Sequence, residues 1–497
     1  MKKMKPKVAI VSVYDKRGIE DFCKELLKNN VKIYASEGTK KYLEQKGIKV
    51  KSVSSYTGFS ELLGGRIKTL STKLHSAILA REDELEELKS KGIEPIDMVV
   101  CNFYPYSVGI DEMDIGGPAM VRAAAKNWRR VIVISSPSQY EEAKKYLSKG
   151  FDEKIRLRFA IEALQRTSYY DAMILKRYEK NFPSLLCLPY IKKMDLRYGE
   201  NPHQKASFYV KEGLSEACIS NAIQLQGKEL SYNNILDANH AIECLKEFDE
   251  PTAVIVKHAT PCGIASSEKI EDAWRKAFET DTYSPYGGIV AVNRKINENL
   301  ANEMKKIFLE IIIAPSFSNE ALQIFSEKKN LRLLQINKLG KEKRKKEIEL
   351  RSVCGGLLLQ EKDVKKINPQ EWKFVSRKKP SKEDISSMVF AVKCVRHVKS
   401  NAVVFVKDKS TVAIGGGQTS RVDAVWIATY KGKERIKGSI MASDAFFPFR
   451  DAVDEAAKAG VRAIVQPGGS IRDKEIIEAA DEHGIIMVFT GQRCFLH

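Results

Sequence analysis

The sequence predicts an α/β protein of several domains, and three observations carry that prediction. Short β-rich apolar runs alternate with amphipathic stretches along the chain, the pattern of strands joined by helical crossovers in a parallel sheet. The 497 residues exceed what one hydrophobic core fills, and such a length suggests about two to four domains. With 43% hydrophobic and 30% charged residues, the composition is that of an ordinary globular chain.

The first third opens with VAIVSVY (8–14), a buried strand, and continues through Ile19–Asn29, whose apolar spacing suits an amphipathic helix. VKIYAS (31–36) is a second strand, and Lys40–Gln45 opens a second helix. Both strands run into polar turns, SVYDKRG (12–18) and SEGT (36–39). Hydroxyls, a glycine and a lysine ahead of a helix suit a phosphate, because free backbone N–H groups and the helix N-terminus face the anion. Neither turn is a GxGxxG or a Walker loop, so each alone is equally an ordinary strand-to-helix turn. In LLGGRIKTL (62–70), Arg66 and Lys68 lie two apart and share one face if the segment is extended. IDMVVCNFYPY (96–106) is another strand, presenting Asn102 and Tyr104 at its end. MDIGGPAMVRAAAKNWRRVIVI (113–134) supplies Asp114, a Gly-Gly turn, a helix carrying Lys126, and a strand. A carboxylate, a phenol, two lysines and free amides equip a site for acid, base and oxyanion work at a carbonyl, although a capped helix with a solvated lysine explains the same residues.

Residues 155–180 read as a long helix and FPSLLCLPY (182–190), with two prolines, as a link. LRYGENPHQ (196–204) brings Arg197 and Tyr198 to a turn, and GKELSYNNILDANHAI (227–242) turns into a helix. TAVIVKHATPCGIA (252–265) reads as a buried strand delivering Lys257 and His258 into a turn. Desolvation lowers the pKa of a lysine and a histidine titrates near neutrality, so the pair suits shared proton transfer; a surface lysine beside a hydrogen-bonded histidine is the plainer reading. DTYSPYGGIVAVN (281–293) and LEIIIAPSF (309–317) are further strands, and KLGKEKRKKEIELR (338–351) is a charge run, read as a solvated connection or helix face. FAVKCVRHVKSNAVVFVKD (390–408) is a helix running into Lys399, Ser400 and Asn401 and then a strand. VAIGGGQTSRVDAVWIA (412–428) is a strand, a glycine turn and a helix, without the lysine of a P-loop. Two more strand-helix units fill 438–490, and in SDAFFPF an aspartate precedes two phenylalanines and a proline, which a ring-stacking site and a subunit interface explain equally.

The formal net charge is +19, from 83 Lys and Arg against 64 Asp and Glu. That balance attracts polyanions: nucleic acid, an anionic membrane, or small substrates carrying phosphates and carboxylates. Nucleic-acid binding needs basic residues clustered with exposed aromatics, whereas the lysines here are dispersed and the aromatics lie mostly in apolar runs. Nine cysteines without a CxxC pair read as reduced thiols in a cytoplasmic setting. The basic N-terminus has too short an apolar run for a signal sequence, and no long apolar segment argues for a membrane span.

Taken in order, GGRIKT, MDIGGPAMVRAAAKN, LRYGENPHQ, SYNNILDA, VIVKHATPCG, VKSNAVVF, GGGQTSRVDA, SDAFFPFRDAVD and QPGGSIRD resemble one family from the first strand to the last residue. It is the family of bifunctional purine-biosynthesis enzymes that join 5-aminoimidazole-4-carboxamide ribonucleotide (AICAR) transformylase to IMP cyclohydrolase. The resemblance implies a methylglyoxal-synthase-like, parallel-sheet cyclohydrolase domain over residues 1–180, a linker over 181–194, and a transformylase of two cytidine-deaminase-like subdomains over 195–497. It implies formyl transfer from 10-formyltetrahydrofolate to the amino group of AICAR, then closure of formyl-AICAR to IMP with loss of water. For the transformylase it implies Lys257, His258 and Asn401 as catalytic positions. AICAR contacts map onto Arg197, Tyr198, Gly287, Glu310, Phe446 and Arg493, and folate contacts onto Arg421, Val422, Asp451, Ser470 and Ile471. For the cyclohydrolase the catalytic positions map onto Lys68, Tyr104, Asp114 and Lys126. Nucleotide contacts map onto Asp15, Lys16, Ser36, Glu37, Gly38, Thr39, Arg66, Ile67, Thr69, Cys101, Asn102, Ile115 and Gly116. The family further implies a homodimer whose transformylase site is shared across the interface.

This chain departs from the family pattern at several places. KTLST stands where KTLHP is usual, so Ser71 and Thr72 replace a histidine and a proline, although His75 is kept. The segment between Tyr106 and Asp114 is short, Tyr14 replaces a small residue, and Pro285-Tyr286 replaces Ala-Phe or Ser-Phe. These departures leave one alternative, a transformylase whose cyclohydrolase domain is impaired. A deaminase-like fold also raises the question of zinc, but no H-x-E with P-C-x-x-C occurs, so no catalytic metal is expected.

Overall fold

β1 (Val8–Val13) is buried along nearly its whole length in the computed structural model, which describes residues 3–497. A strand apolar on both faces belongs in the middle of a sheet covered on both sides. With β2 (Lys32–Ala35), β3 (Lys51–Ser52), β4 (Met98–Asn102) and β5 (Ile132–Ile134), it forms a parallel sheet in the order β3-β2-β1-β4-β5. Ala9, Val11 and Val13 pack with Ile19, Phe22, Leu26 and Phe159, while Val8 and Ile10 pack with Leu74, Ile78, Met120 and Val121. The strand order reverses between β1 and β4, and the crevice at the carboxyl ends of such strands is where open α/β sheets bind ligands. This unit spans Met1–Tyr190, and a second spans Ile191–His497.

The second unit opens on a hairpin of β6 (Ile191–Leu196) and β7 (Ala206–Val210). The first half of its large sheet comprises β8 (Ile223–Gln226), β9 (Thr252–Lys257), β10 (Thr260–Ser266), β11 (Gly288–Val292), β12 (Leu309–Ala314) and β13 (Arg332–Gln335). A hairpin of β14 (Ile348–Val353) and β15 (Gly356–Glu361) intervenes. The second half comprises β16 (Lys373–Phe374), β17 (Val403–Lys407), β18 (Ser410–Gly415), β19 (Ile440–Ser443), β20 (Ala463–Gln466) and β21 (Ile486–Phe489).

The twelve strands run β16-β21-β20-β19-β17-β18-β10-β9-β11-β12-β13-β8. Read outwards from the β10/β18 seam, each half has the same grammar: a hairpin, an antiparallel third strand, two parallel steps, and a short antiparallel edge. A helix precedes each hairpin, Tyr232–Leu245 in the first half and Lys382–Val395 in the second, and each starts in a capping box, Ser231 with Asn234 and Ser381 with Asp384. One core runs through both halves, from Ile242 and Leu245 to Met388 and Val395. Two separate cores, around Trp274 and Phe325 and around Phe405 and Phe447, fill the remaining spaces.

The expectation of α/β architecture is met. Two local readings need correction. The charge run 338–351 is not wholly solvated: Arg344 is largely buried and binds Glu247 at 2.9 Å, and the run ends inside β14. Buried carboxylates on the helix Tyr232–Leu245 and just after it demand that cation, which composition does not reveal. The long helix read over 155–180 spans Glu153–Leu175, starting where the Asp152 carboxylate accepts from Ile155 N.

Candidate active sites

In the first unit the carboxyl ends of β1, β2 and β4 meet, and their turns are tied together by side chains. Thr39 Oγ1 accepts from Val13 N at 3.1 Å and lies 3.2 Å from Ser36 Oγ. Lys16 Nζ reaches Thr39 Oγ1 at 3.3 Å and also donates to Val13 O. Asn102 accepts from Tyr14 N at 2.7 Å and Asp15 N at 2.8 Å and donates to Asp15 O at 3.0 Å, so its amide is spent on holding the β1 turn. Burial lowers the pKa of Lys16, and the nearby charge of Lys68 lowers it further. Two cations that repel each other beside the Ser36 and Thr39 hydroxyls, where the helix Glu37–Gln45 starts, make a seat for an anion.

Lys68 Nζ stands 5.6 Å from the centre of the Tyr104 ring, and Tyr104 meets Tyr14 edge to face at 5.7 Å. Burial works against the Lys68 charge, yet the Tyr104 hydroxyl and the charges of Glu61 and Asp114 outweigh it and raise its pKa. Asp114 precedes the helix Gly116–Lys126, and its carboxylate accepts from Gly117 N at 2.8 Å while its own N–H donates to Tyr170 at 2.8 Å. Burial pushes that carboxyl up despite hydrogen bonds from Gly117 and Tyr104 and the charge of Lys68. A Cβ at Gly116 would stand 2.4 Å from Thr69 Oγ1, so a glycine is what lets the helix start against the Arg66–Thr69 segment. Burial pushes the Cys101 thiol well up, which leaves it a neutral lining group. Arg66, Ile67, Gly38 and Ile115 are exposed and Glu37 half-buried. Lys126 is exposed at the far end of its helix, about 15 Å along the axis from Gly116 at the helical rise per residue. Lys68, Tyr104 and Asp114 therefore come together, and Lys126 stands apart from them.

In the second unit Lys257 ends β9 and pairs with Thr260 across a two-residue turn in which His258 and Ala259 both have φ of 54°. Non-glycine residues hold such angles only when the surroundings compensate. Asp237 compensates here, accepting from His258 N at 3.1 Å and Ala259 N at 2.7 Å. Lys257 Nζ donates to Tyr286 O at 2.8 Å. The turn opens on a cavity of about 270 Å³ lined by Lys257, His258, Cys262, Asp281, Gln418 and Lys431, among others. Asn401 stands behind Gln418, which lines the cavity from the other half: its amide donates to Gln418 O at 2.9 Å and Thr419 O at 3.1 Å, and its Oδ1 accepts from Arg421 at 2.7 Å. Arg421 is itself buried and bonds Asp444 and, at 2.9 Å, Ser443.

Gly287 N donates to Phe308 O at 2.8 Å, and Glu310 pairs with the buried Arg332 at 2.6 Å. Val422 follows Arg421 in the helix Arg421–Gly432, Asp451 starts the helix Asp451–Lys458, and Ser470 N donates to Asp473 at 3.0 Å. The guanidinium of Arg197 lies over the Tyr198 ring and that of Arg493 over Phe495. Phe446 and Ile471 are exposed. Among the described residues, no hydrogen bond or ion pair joins Arg197, Tyr198, Phe446, Asp451, Ser470, Ile471 or Arg493 to Lys257, His258 or Asn401. Nor do three His, Cys, Asp or Glu side chains gather there as a metal would require. Sequence reasoning missed Asp281, Lys431, Arg332 and Asp444. The one visible signal was charge inside segments otherwise apolar or small, such as Asp444 ahead of AFF.

Residues 18–128 match the family described as MGS-like domain, and residues 124–431 the family described as AICARFT/IMPCHase bienzyme. The chain is 49% identical to the bifunctional purine biosynthesis protein PurH of Acetivibrio thermocellus, over 99% of this chain and 100% of that protein. The PurH proteins of Caldicellulosiruptor saccharolyticus and Ruminiclostridium cellulolyticum are 47% and 44% identical, each over 99% of this chain and the full length of the relative.

Proposed function

The chain belongs to the AICARFT/IMPCHase bienzyme family, a bifunctional AICAR transformylase and IMP cyclohydrolase of purine biosynthesis, and from that premise we propose how its residues divide the two reactions. The Ile191–His497 unit transfers the formyl group and the Met1–Tyr190 unit closes the ring. In the transfer, the amino nitrogen of AICAR attacks the formyl carbon of 10-formyltetrahydrofolate. That nitrogen must lose a proton as its bond forms, and the folate nitrogen must gain one as its bond breaks. His258 takes the first proton, Lys257 supports the departing nitrogen, and Asn401, held rigid by Arg421, orients the carbonyl. The observation that carries this reading is the meeting of Lys257 and His258 with the Asn401 segment around one cavity.

In the cyclisation the carboxamide nitrogen attacks the formyl carbon of the same molecule, so positioning supplies much of the acceleration. Lys16, Ser36 and Thr39 hold the phosphate, Lys68 with Tyr104 stabilises the developing oxyanion, and Asp114 moves the proton. Lys126, distant from these, acts only if substrate reaches it. Arg197, Tyr198, Gly287, Glu310, Phe446 and Arg493 contact AICAR, and Arg421, Val422, Asp451, Ser470 and Ile471 contact folate. Because several of these side chains are exposed and unlinked to Lys257, a homodimer that completes the site with a second copy suits them. The +19 charge then matches phosphate and folate carboxylates rather than nucleic acid. No described helix is long and apolar enough to cross a membrane, and we place the enzyme in the cytoplasm.

A two-stage assay tests the division. The protein is given AICAR with 10-formyltetrahydrofolate, then formyl-AICAR alone, and IMP is followed. IMP in both stages is expected. Accumulation of formyl-AICAR with a silent second stage would instead mean that KTLST and the short loop disable ring closure.

A further inference from the structure

Among the described residues Lys257 Nζ has one hydrogen bond, to the carbonyl of Tyr286, so whatever sets the loop Asp281–Gly287 sets the lysine. That loop is folded around a carboxylate. Asp281 accepts from Tyr283 N at 3.1 Å, from Ser284 N at 2.9 Å and from the Ser284 hydroxyl. Its other outward partner is Lys431, at 3.2 Å, which comes from the second half of the sheet. Burial works against the Asp281 charge, but the Ser284 bonds and Lys431 outweigh it and hold the carboxyl below its ordinary value. Both Asp281 and Lys431 line the cavity that Lys257 and His258 face.

The helix Arg421–Gly432 links these facts. Its first residue, Arg421, fixes Asn401, and Lys431 at its other end grips the loop that fixes Lys257. We propose that Asp281 and Lys431 are a positioning pair for formyl transfer: Lys431 holds Asp281, Asp281 folds the Asp281–Gly287 loop, and the Tyr286 carbonyl at its end aims the Lys257 ammonium at the departing nitrogen. One strut thus sets the spacing between Asn401 and Lys257, which lie on opposite halves of the sheet. The pair touches no reacting atom, and its effect on rate runs through Lys257. The inference rests on the reading that Lys257 acts in the transfer.

Loss of Lys431 does not open the seam, because Thr280 still bonds Thr411 at 2.7 Å and Arg435 still bonds Thr280 O at 3.1 Å. Asp281→Asn, Lys431→Met, the double variant and Lys431→Arg are compared in the full-length enzyme by steady-state kinetics and thermal melting. Misplacement on the scale of 1 Å costs up to about 100-fold, so Asp281→Asn is expected to lower the transfer kcat by roughly 10- to 100-fold with KM for AICAR changed by less than about threefold. Lys431→Met is expected to cost about three- to tenfold, the double variant no more than Asp281→Asn alone, and Lys431→Arg to restore most of the rate. Unchanged kcat, a change confined to KM, or additive losses would overturn the pair. If Asp281→Asn does not fold, Lys431→Met and its arginine rescue decide the matter. Lys257→Met separates the two levels: if it leaves transfer intact, the role given to Lys257 fails, whereas its loss beside an active Asp281→Asn enzyme refutes the positioning pair alone.

Discussion

The turn Lys257–Thr260 and the turn Lys407–Ser410 occupy matching places in the two halves of the large sheet, but their side chains have opposite fates. Both close a hairpin, between β9 and β10 and between β17 and β18, and both use positive φ at non-glycine residues, His258 and Ala259 in one and Asp408 in the other. In the second turn Lys409 is tied up in an ion pair with Glu250. In the first, the bond that Lys257 makes among the described residues is to a carbonyl, and its charge stays available to a ligand. The halves also meet across their axis, where Glu247 and His397, each two residues beyond the matching helix, lie 3.3 Å apart. The backbone is repeated, and the chemistry is decided by whether the turn's lysine meets a carboxylate or a carbonyl.

Several changes would break or sharpen this comparison. The largest difference is expected between His258→Ala and Asp408→Ala. Removing a general base costs roughly 100- to 10,000-fold in the transfer kcat, while the sister substitution changes it by less than about twofold. Equal losses would mean that the second turn also serves the reaction.

Next comes packing. A Cβ at Gly263 would lie 2.0 Å from Ala277 O, and one at Gly415 2.0 Å from Ala424 O. Both contacts are with backbone, which cannot yield, so Gly263→Ala and Gly415→Ala should each destabilise by about 3 kcal/mol or more in denaturant titrations. A marked inequality would show that the halves are packed on different principles.

Acid stability separates the halves in a third way. Burial alone would raise the Glu243 carboxyl, but Lys246 and Lys362 outweigh it and hold it down at about 2, below its ordinary 4.5. A depressed carboxylate contributes stability that is complete above the ordinary value and is lost as pH falls from 4.5 towards 2, in all a few kcal/mol. The urea midpoint of the wild type should fall across that window, and Glu243→Gln should flatten the fall. Lys393 stands at the sister position, and Lys393→Met should leave the slope in place.

The smallest effect concerns the support of the turn. Asp237→Ala frees two backbone N–H groups and should cost about 1–3 kcal/mol of stability together with a measurable drop in transfer kcat. Ser387→Ala, at the matching place on the helix Lys382–Val395, should lower stability less and leave kcat alone.

Much of the fold was legible because its signals are local. VAIVSVY and TAVIVK are apolar runs too short for helices, and their strands fall where the runs do. Arg344 was not legible, since a lysine-rich run looks the same whether it is solvated or reaches into a cavity of buried carboxylates. Among site residues, Lys68, Tyr104, Asp114 and Lys126 could be grouped only by their chemistry and the family resemblance, because of the first three only Tyr104 follows a strand, while Lys68 and Asp114 lie in irregular segments. The place of Lys126 at the end of its helix was legible too, from the length of the run between the Gly-Gly turn and the lysine.

By itself the sequence determined the alternation of strands and helices, the polar turns that follow β1, β2 and β9, and the ordered motifs that place the chain in its family. Only the tertiary structure decided that Gln418, which holds Asn401, lines one cavity with Lys257 and His258, that Arg421 bonds Asn401 and Asp444, and that Lys431 grips Asp281. The physical reason is range. Periodicity and capping act within about ten residues, whereas Arg421 meets Asn401 and Asp444 across some twenty residues of chain, and Lys431 reaches Asp281 only because β10 pairs with β18, a choice made by packing across the whole sheet.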